Sequence, residues 1–302
     1  NVDRVLTTPG YTAYVKIADG CNNRCAFCAI PYIRGNYVSR TMENIEREVR
    51  SLAEKGVREI VLVAQDTTYY GKDLYHKPML AELLRRVAAV EGVHWVRALY
   101  CYPELIDDEL LAVMKEEPKV CSYLDIPLQH INDKVLREMN RRYTRQQYLD
   151  LVNYAKSVMP GLVLTSDVII GFPGETEAEA MDTVSLVEEV GFDALFTFIY
   201  SPRPGTKAAE LPDPFPRSEK QKWFDRLLEV QNQMSARLHA AYVGKTVRVL
   251  VDGESDDPEY PLASRTEGNR LVRLKGDKAL MGQFIDVKIT GSNTWALYGE
   301  AV

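Results

Sequence analysis

The chain has 302 residues, of which 46% are hydrophobic and 26% are charged, and its formal net charge is −6 at pH 7. This composition predicts an ordinary globular protein and excludes a disordered or collagen-like chain. A chain of this size needs neither disulfides nor a metal merely to fold, so we expect any metal to serve the function. The acidic balance argues against coating of nucleic acid by bulk electrostatics. No apolar run reaches the ~18 residues that a membrane-spanning helix needs.

Short apolar stretches alternate with amphipathic segments along most of the chain. The apolar stretches predict six buried parallel strands, at 14–17, 57–63, 93–99, 120–126, 162–170 and 194–200. Apolar residues three to four positions apart predict six helices, at 42–54, 79–89, 104–115, 144–157, 177–190 and 218–241. Thr144 and Thr176 are candidate N-caps. The alternation predicts an α/β fold, either an open doubly wound sheet or a curved, incomplete barrel.

The pattern changes at Gly244, after the last predicted helix. From there the hydrophobic residues alternate with polar ones, and Gly, Asp and Pro interrupt them. This predicts five short strands, at 245–251, 262–265, 270–275, 284–290 and 295–298. Five such strands are typical of a small all-β barrel. The sequence therefore predicts two domains, at 1–243 and 244–302.

Three cysteines lie close together directly after the first predicted strand. Cys21, Cys25 and Cys28 have the spacing Cys-x3-Cys-x2-Cys. Three thiolates on one loop can each bind one iron of a cuboidal 4Fe-4S cluster, which leaves the fourth iron without a protein ligand. That open iron can bind a substrate.

The alternative for this loop is a structural zinc site. Zinc in such sites takes four protein ligands, so a fourth would have to come from a distant residue such as His76, His94 or His130. The two remaining cysteines, Cys101 and Cys121, lie in or beside apolar strands and are predicted to be buried core thiols. So few cysteines suit a reducing compartment, and we expect a cytoplasmic protein.

The cysteine loop resembles the signature of the radical S-adenosylmethionine superfamily. In that family the amine and carboxylate of the cofactor chelate the open iron, and one electron from the cluster cleaves the cofactor to a 5′-deoxyadenosyl radical. The resemblance implies a six-unit partial barrel of the (β/α)6 type, similar to part of a TIM barrel. It also places Phe27 near the adenine. Because hydrogen leaves the substrate as an atom, no general base is needed, and no catalytic side chain is assigned.

Polar residues and glycines follow several predicted strands at their carboxyl ends, where ligands bind in parallel α/β folds. The resemblance implies that Gln65 and Asp66 lie near the amino-acid part of the cofactor, and that Gly171 and Glu175 lie near its adenosyl part. Gln129, after the fourth strand, is predicted to face the same ligand. Glycine at 171 would let the backbone approach the ligand closely. The alternative is a set of ordinary strand-end turns with helix caps.

Over nearly its whole length the sequence is similar to the methylthiotransferases, which replace a carbon–hydrogen bond by a carbon–SCH3 group and carry a terminal β-barrel called TRAM. Residues 11–140 resemble the RimO type, which modifies an aspartate of a small-subunit ribosomal protein. From residue 144 onward the sequence resembles the MiaB type, which modifies an isopentenylated adenosine beside the tRNA anticodon. We favour the RimO type because the half of the sequence that resembles it contributes four strand ends to the edge of the sheet where the reaction would occur. A non-enzymatic RNA or ribosomal-protein binding module with a structural metal is the second class of function.

The resemblance also has consequences for cofactors and partners. Family members carry an N-terminal domain with an auxiliary 4Fe-4S cluster, and we expect no counterpart of that domain in this sequence. We therefore expect this chain to bind one cluster and cleave the cofactor without completing methylthiolation alone. The expected partners are a small-subunit ribosomal protein or tRNA, bound through the TRAM-like barrel, and an electron donor of the flavodoxin or ferredoxin type. We expect a monomer that binds no membrane.

Two groups of cations are candidates for contact with these partners. The first lies in one hairpin region of the terminal barrel and could form a substrate-facing stripe: Arg265, Arg270, Arg273, Lys275 and Lys278. The second follows the fourth strand and is predicted to be the solvated start of a helix: Arg137, Arg141, Arg142 and Arg145. Ordinary surface solvation is the alternative for both groups.

Overall fold

The computed structural model describes residues 10–302. In chain order the strands are β1 (Thr12–Lys16), β2 (Ala18–Asp19), β3 (Val38–Ser39), β4 (Glu59–Val63), β5 (Trp95–Ala98), β6 (Tyr123–Asp125), β7 (Val163–Ile170), β8 (Ala194–Ile199), β9 (Thr246–Glu254), β10 (Leu262–Thr266), β11 (Leu271–Lys275), β12 (Phe284–Ser292) and β13 (Leu297–Ala301). The α-helices are α1 (Ile30–Arg34), α2 (Met42–Glu54), α3 (Leu80–Ala88), α4 (Asp108–Glu116), α5 (Asp133–Glu138), α6 (Arg145–Val158), α7 (Glu177–Val190) and α8 (Arg217–Ala240).

The six predicted parallel strands are all present, as β1, β4, β5, β6, β7 and β8. They form two parallel sheets of three strands, in the orders β1-β4-β5 and β6-β7-β8. A parallel bridge between Val96 and Val120 connects the two sheets. β6 has only three residues, so its ladder is short. A continuous six-unit barrel therefore stays a prediction.

The six predicted helices are present, and their ends show why they begin where they do. Thr144 and Thr176 each form a capping box, in which the side chain accepts a hydrogen bond from the third helical residue and that residue's side chain bonds back. This pairs backbone N–H groups that a helix start leaves without partners. The predicted helix at 104–115 begins later, at Asp108, because Asp107 is its N-cap. The short helices α1 and α5 were not predicted, since five or six residues show too little periodicity.

The terminal part forms the predicted all-β module. Its five strands close into a barrel in the order β10-β11-β13-β12-β9. Alternate residues of these strands point inward and form a separate apolar core that includes Val249, Leu262, Val272, Val287 and Leu297. The alternation seen in the sequence thus corresponds to the inside and outside of the barrel.

The barrel packs against the amino ends of the parallel strands. Ser122, just before β6, donates its backbone N–H to the Glu267 carboxylate over 2.7 Å. A Cβ atom at Gly268 would lie 2.4 Å from the Val163 side chain at the start of β7, so this position requires glycine. Arg270 forms a buried ion pair with Asp193, just before β8. The barrel therefore lies at the opposite end of the strands from their carboxyl ends.

Within residues 10–302 no helix combines the length and the apolar character needed to cross a membrane.

Candidate cluster and cofactor site

The three thiols predicted as cluster ligands lie on one loop between β2 and α1: Cys21, Cys25 and Cys28. The loop begins at Gly20, whose φ of +72° is strained for residues with a side chain. A Cβ atom there would also lie 2.1 Å from the carbonyl oxygen of Asn36. The backbone N–H of Cys21 then donates to the carbonyl of Gly35 over 3.2 Å. These contacts fold the loop back on the segment after α1, and Cys25 and Cys28 lie close enough to Cys21 to affect the pKa of its thiol.

The environment of the sulfurs differs along the loop. Cys21 is buried, whereas Cys25 and Cys28 are half-buried, and all three are free thiols. The backbone N–H groups of Asn23 and Ile30 donate to the sulfurs of Cys21 and Cys28. Burial raises the pKa of the Cys21 thiol to about 11 and also raises that of Cys28. Binding of iron at these positions must therefore displace protons.

The donor set fits a cluster better than a single zinc ion. His130, one candidate for the fourth zinc ligand, has both ring nitrogens engaged, with Glu175 and with the backbone of Asn132. In a 4Fe-4S cluster each thiolate binds a different iron, so three thiols suffice. A cavity of about 200 Å³ lies beside Cys25 and Cys28.

Asp66 connects the cysteine loop to the carboxyl end of β4. Its carboxylate accepts hydrogen bonds from the Asn23 side chain at 2.9 Å, from the Thr68 hydroxyl at 2.6 Å and from the backbone N–H of Tyr69 at 3.1 Å. Asp66 is only 1% exposed, and this burial raises the pKa of its carboxyl group. The structure thus places Asp66 next to the loop, as a residue that holds it. Gln65, its neighbour, is exposed.

Two other predicted contacts also lie near the strand ends. Phe27 is half-buried in an apolar cluster with Phe172 and Tyr200, which connects the cysteine loop to the ends of β7 and β8. Gln129 is buried and has a φ of +64°. Its backbone bonds to that of Asp167 and Ile169, so it extends the ladder beside β7. The position near the adenine stays a prediction for Phe27, as does contact with the cofactor for Gln129.

The structure gives Gly171 and Glu175 a packing role that the sequence did not indicate. A Cβ atom at Gly171 would lie 2.6 Å from the Lys220 side chain, whose ammonium donates to the Gly171 carbonyl over 2.7 Å. The absent side chain therefore makes room for Lys220, which is the physical reason for glycine here. Glu175 has no exposed surface, and its two carboxylate oxygens contact His130 at 3.0 Å and the backbone N–H of Phe172 at 2.8 Å. Both oxygens thus hold parts of the chain itself, and contact of Glu175 and Gly171 with the cofactor stays a prediction.

Arg141 is the residue that the sequence placed wrongly. It was predicted to lie on a solvated helix start, but it is only 6% exposed. Its guanidinium donates to the Tyr102 hydroxyl and to the Pro127 carbonyl, both at 2.5 Å, and to the Tyr143 hydroxyl at 3.1 Å. It also donates to the sulfur of Cys25 over 3.5 Å. No signal in the sequence indicated this placement, because Tyr102 is 39 residues away along the chain.

One face of the β6-β7-β8 sheet combines carboxyl and aromatic groups. Asp167 is opposite Phe196 in the parallel ladder, and Ile169 is opposite Phe198, so these four side chains lie on one face. The two phenylalanines are 56% and 55% exposed. Burial, and then repulsion from Asp125, raise the pKa of Asp167 from 3.8 to about 7. This face offers hydrogen-bonding and stacking groups near the carboxyl ends of the strands.

The raised pKa of Asp167 predicts a pH-dependent stability. The folded chain binds the Asp167 proton more tightly than the unfolded chain, so stability falls as pH rises from 3.8 to about 7. An Asp167→Asn chain lacks this loss and is therefore expected to gain stability relative to the wild type between about pH 5 and about pH 8. Urea unfolding of both chains at these two pH values measures the difference. A stability difference between the two chains that is equal at both pH values would contradict a raised pKa of Asp167.

The predicted cation stripe of the terminal barrel is neutralised by acidic neighbours. Each of its five members forms an ion pair, with these partners: Arg265 with Asp252, Arg270 with Asp193, Arg273 with Asp256, Lys275 with Glu300 and Lys278 with Glu254. In the second group Arg145 pairs with Glu189, while Arg137 and Arg142 are exposed. The stripe therefore carries little free positive charge with which to attract a phosphate backbone.

Comparisons with known proteins agree with this architecture. The profile of the Radical SAM superfamily matches residues 15–187, and that of the TRAM domain matches residues 240–302. Among solved structures, coproporphyrinogen III oxidase from Escherichia coli, described as a radical SAM enzyme, has a TM-score of 0.55 and 17% identity. The match covers 98% of this chain and 72% of that one. At this identity the similarity shows the fold alone.

Curated relatives are much more similar in sequence. A tRNA-2-methylthio-N(6)-dimethylallyladenosine synthase from Clostridium botulinum is 43% identical over 290 residues, which are 96% of this chain and 64% of the relative. The ribosomal protein uS12 methylthiotransferase RimO from Desulfitobacterium hafniense is 43% identical over 305 residues, covering 99% of this chain and 68% of the relative. The chain thus spans about two thirds of the length of these relatives. By the superfamily match and these identities, the chain belongs to the radical S-adenosylmethionine superfamily and, within it, to the methylthiotransferases of the RimO and MiaB type.

Proposed function

We propose that this chain is the radical S-adenosylmethionine core of a methylthiotransferase. Cys21, Cys25 and Cys28 would hold one 4Fe-4S cluster, and S-adenosylmethionine would bind beside it at the carboxyl ends of the strands. The observation that carries the proposal is a loop of three free thiols, and His130, one of the three candidate fourth ligands for zinc, is engaged elsewhere. When bound, the cluster supplies one electron that cleaves the cofactor and generates the radical that removes a hydrogen atom.

The residues of this chain bind and orient these groups. Asp66 holds the loop through Asn23, and Gly20 and Gly35 fix its reversal. Phe27 packs between the loop and the end of β7, where it would border the adenine. Arg141 and Tyr102 direct hydrogen bonds at the Cys25 sulfur. No residue is required to move a proton, because hydrogen is removed as an atom.

For the substrate we propose an aspartate of the small-subunit ribosomal protein uS12, with modification of an adenosine in tRNA as the second candidate. The relative named RimO supports the first and the relative named as a tRNA synthase supports the second, at equal identity. The paired charges of the terminal barrel favour the protein substrate, because tRNA binding needs free cations. We also propose that the chain divides into two domains, at 1–243 and 244–302. The electron donor would be a protein of the flavodoxin or ferredoxin type. The free cysteines fit a reducing compartment such as the cytoplasm.

The experiment has two stages. The chain is loaded anaerobically with iron and sulfide, reduced with dithionite and given S-adenosylmethionine, and we expect 5′-deoxyadenosine and methionine as products. A chain that binds zinc and releases no deoxyadenosine would instead be a binding module. Binding of uS12 and of isopentenylated tRNA is then measured at two salt concentrations. Tighter binding of tRNA with a steep salt dependence would overturn the ribosomal substrate.

A further inference from the structure

The contacts of Arg141 are unusual among the buried arginines. Arg97, Arg141 and Arg270 are the buried arginines in the described residues. Arg97 pairs with Glu59 over 3.0 Å, and Arg270 pairs with Asp193. Among residues 10–302, no carboxylate lies within ion-pair distance of Arg141, although Asp66, Glu104 and Asp167 are close enough for their pKa values to respond to its charge.

A buried guanidinium without an anion is costly. Arginine stays protonated in proteins, and removing a charge from water costs several kcal/mol unless a partner compensates. The groups in contact with Arg141 are neutral oxygens and one ionisable sulfur, that of Cys25. Stacking on the Tyr102 ring, 4.2 Å from the guanidinium carbon, compensates part of the cost. Of the groups that Arg141 contacts directly, the Cys25 sulfur is the one that becomes an anion when it binds iron.

Tyr102 adds a second hydrogen bond to the same sulfur. Its hydroxyl oxygen accepts from Arg141, because arginine can only donate, and the hydroxyl hydrogen is then available for the Cys25 sulfur 3.5 Å away. Cys25 is therefore contacted by a cation and a neutral donor from the protein side. By contrast, Cys21 and Cys28 receive backbone N–H groups.

We infer that Arg141 is a positioning residue that places a fixed positive charge against the Cys25 sulfur, and that it thereby raises the reduction potential of the cluster held there. This inference rests on the proposed function. Reduction adds one electron from an external one-electron reductant and one negative charge to the cluster, with no bond made or broken. A fixed cation and hydrogen bonds to a ligand sulfur stabilise that more negative state.

The test compares anaerobically loaded chains by redox titration with dithionite, followed by electron paramagnetic resonance. Arg141→Met removes the positive charge, whereas Arg141→Lys keeps the charge but removes the planar guanidinium. Tyr102→Phe removes only the hydroxyl group, which is a neutral hydrogen-bond donor. Arg142→Met is the matched control, since it removes the same charge from an exposed neighbour. We expect Arg141→Met to shift the oxidised-to-reduced ratio about tenfold toward the oxidised state, which is about 59 mV for one electron. Arg141→Lys should shift it less, and Arg142→Met should leave the potential at the wild-type value.

Iron retention against a chelator is the second measurement, and Arg141→Met should lose iron faster than Arg142→Met. If Arg141→Met fails to fold, Tyr102→Phe and Arg141→Lys must still shift the potential in the same direction. Equal potentials in all of these chains would overturn the inference, because a purely structural arginine would change stability alone. If the wild type and Arg142→Met take up no cluster, the proposed function itself fails.

Discussion

A chain with Cys25→Ala is expected to lose the cluster and with it all cleavage of S-adenosylmethionine. Only three thiols are available on the loop, so removal of one leaves two ligands for four irons. Iron analysis after anaerobic loading should fall from about four atoms per chain to near zero. Deoxyadenosine formation should fall to background in the same sample.

The matched control for this change is Cys121→Ala. Cys121 is also a free thiol, but it is buried in a separate apolar cluster with Trp95 and Tyr123, and burial raises its pKa to about 12. This variant should keep its iron and its deoxyadenosine formation, with a modest loss of stability from the smaller side chain. A Cys25→Ala chain that binds as much iron as the Cys121→Ala chain would show that the loop does not hold the cluster.

A chain with Glu175→Ala is expected to lose about 2–6 kcal/mol of the free energy of unfolding. The backbone N–H of Asn132 donates to Nδ1 of His130, so the neutral ring carries its hydrogen on Nε2 and donates it to Glu175. Removal of the carboxylate leaves this donor and the backbone N–H of Phe172 buried without partners. Each buried N–H donor without a hydrogen-bond partner costs about 1–3 kcal/mol. Urea unfolding measures the loss.

Two further variants make this prediction specific. Glu175→Gln keeps one acceptor oxygen and should show a loss between those of the wild type and Glu175→Ala. Glu177→Ala removes an exposed carboxylate from the first turn of α7, two residues after Glu175, and should cost less than about 1 kcal/mol. If Glu175→Ala is as stable as the wild type but binds S-adenosylmethionine more weakly, Glu175 is a cofactor contact, as the sequence had suggested.

The sequence predicted the fold well where hydrophobic patterns are long. The eight residues of β7 and the fourteen of α7 carry enough apolar positions to define both type and extent. The cysteine spacing likewise predicted a shared loop. Arg141 could not be placed, because a local run of arginines gives no sign of which one lies beneath a distant tyrosine. The pairing of Glu175 with His130 could not be predicted either, since the two residues are 45 positions apart in the chain.

The position of the terminal barrel limits which molecules this protein can modify. The barrel contacts the amino ends of the strands, whereas the thiols lie beyond their carboxyl ends, and the eight residues of β7 separate the two by about 25 Å. A free amino acid or nucleoside is too small to touch both places at once. If the barrel recognises the substrate, the target group must therefore belong to a macromolecule large enough to reach along the whole strand, and recognition occurs far from the atom that reacts.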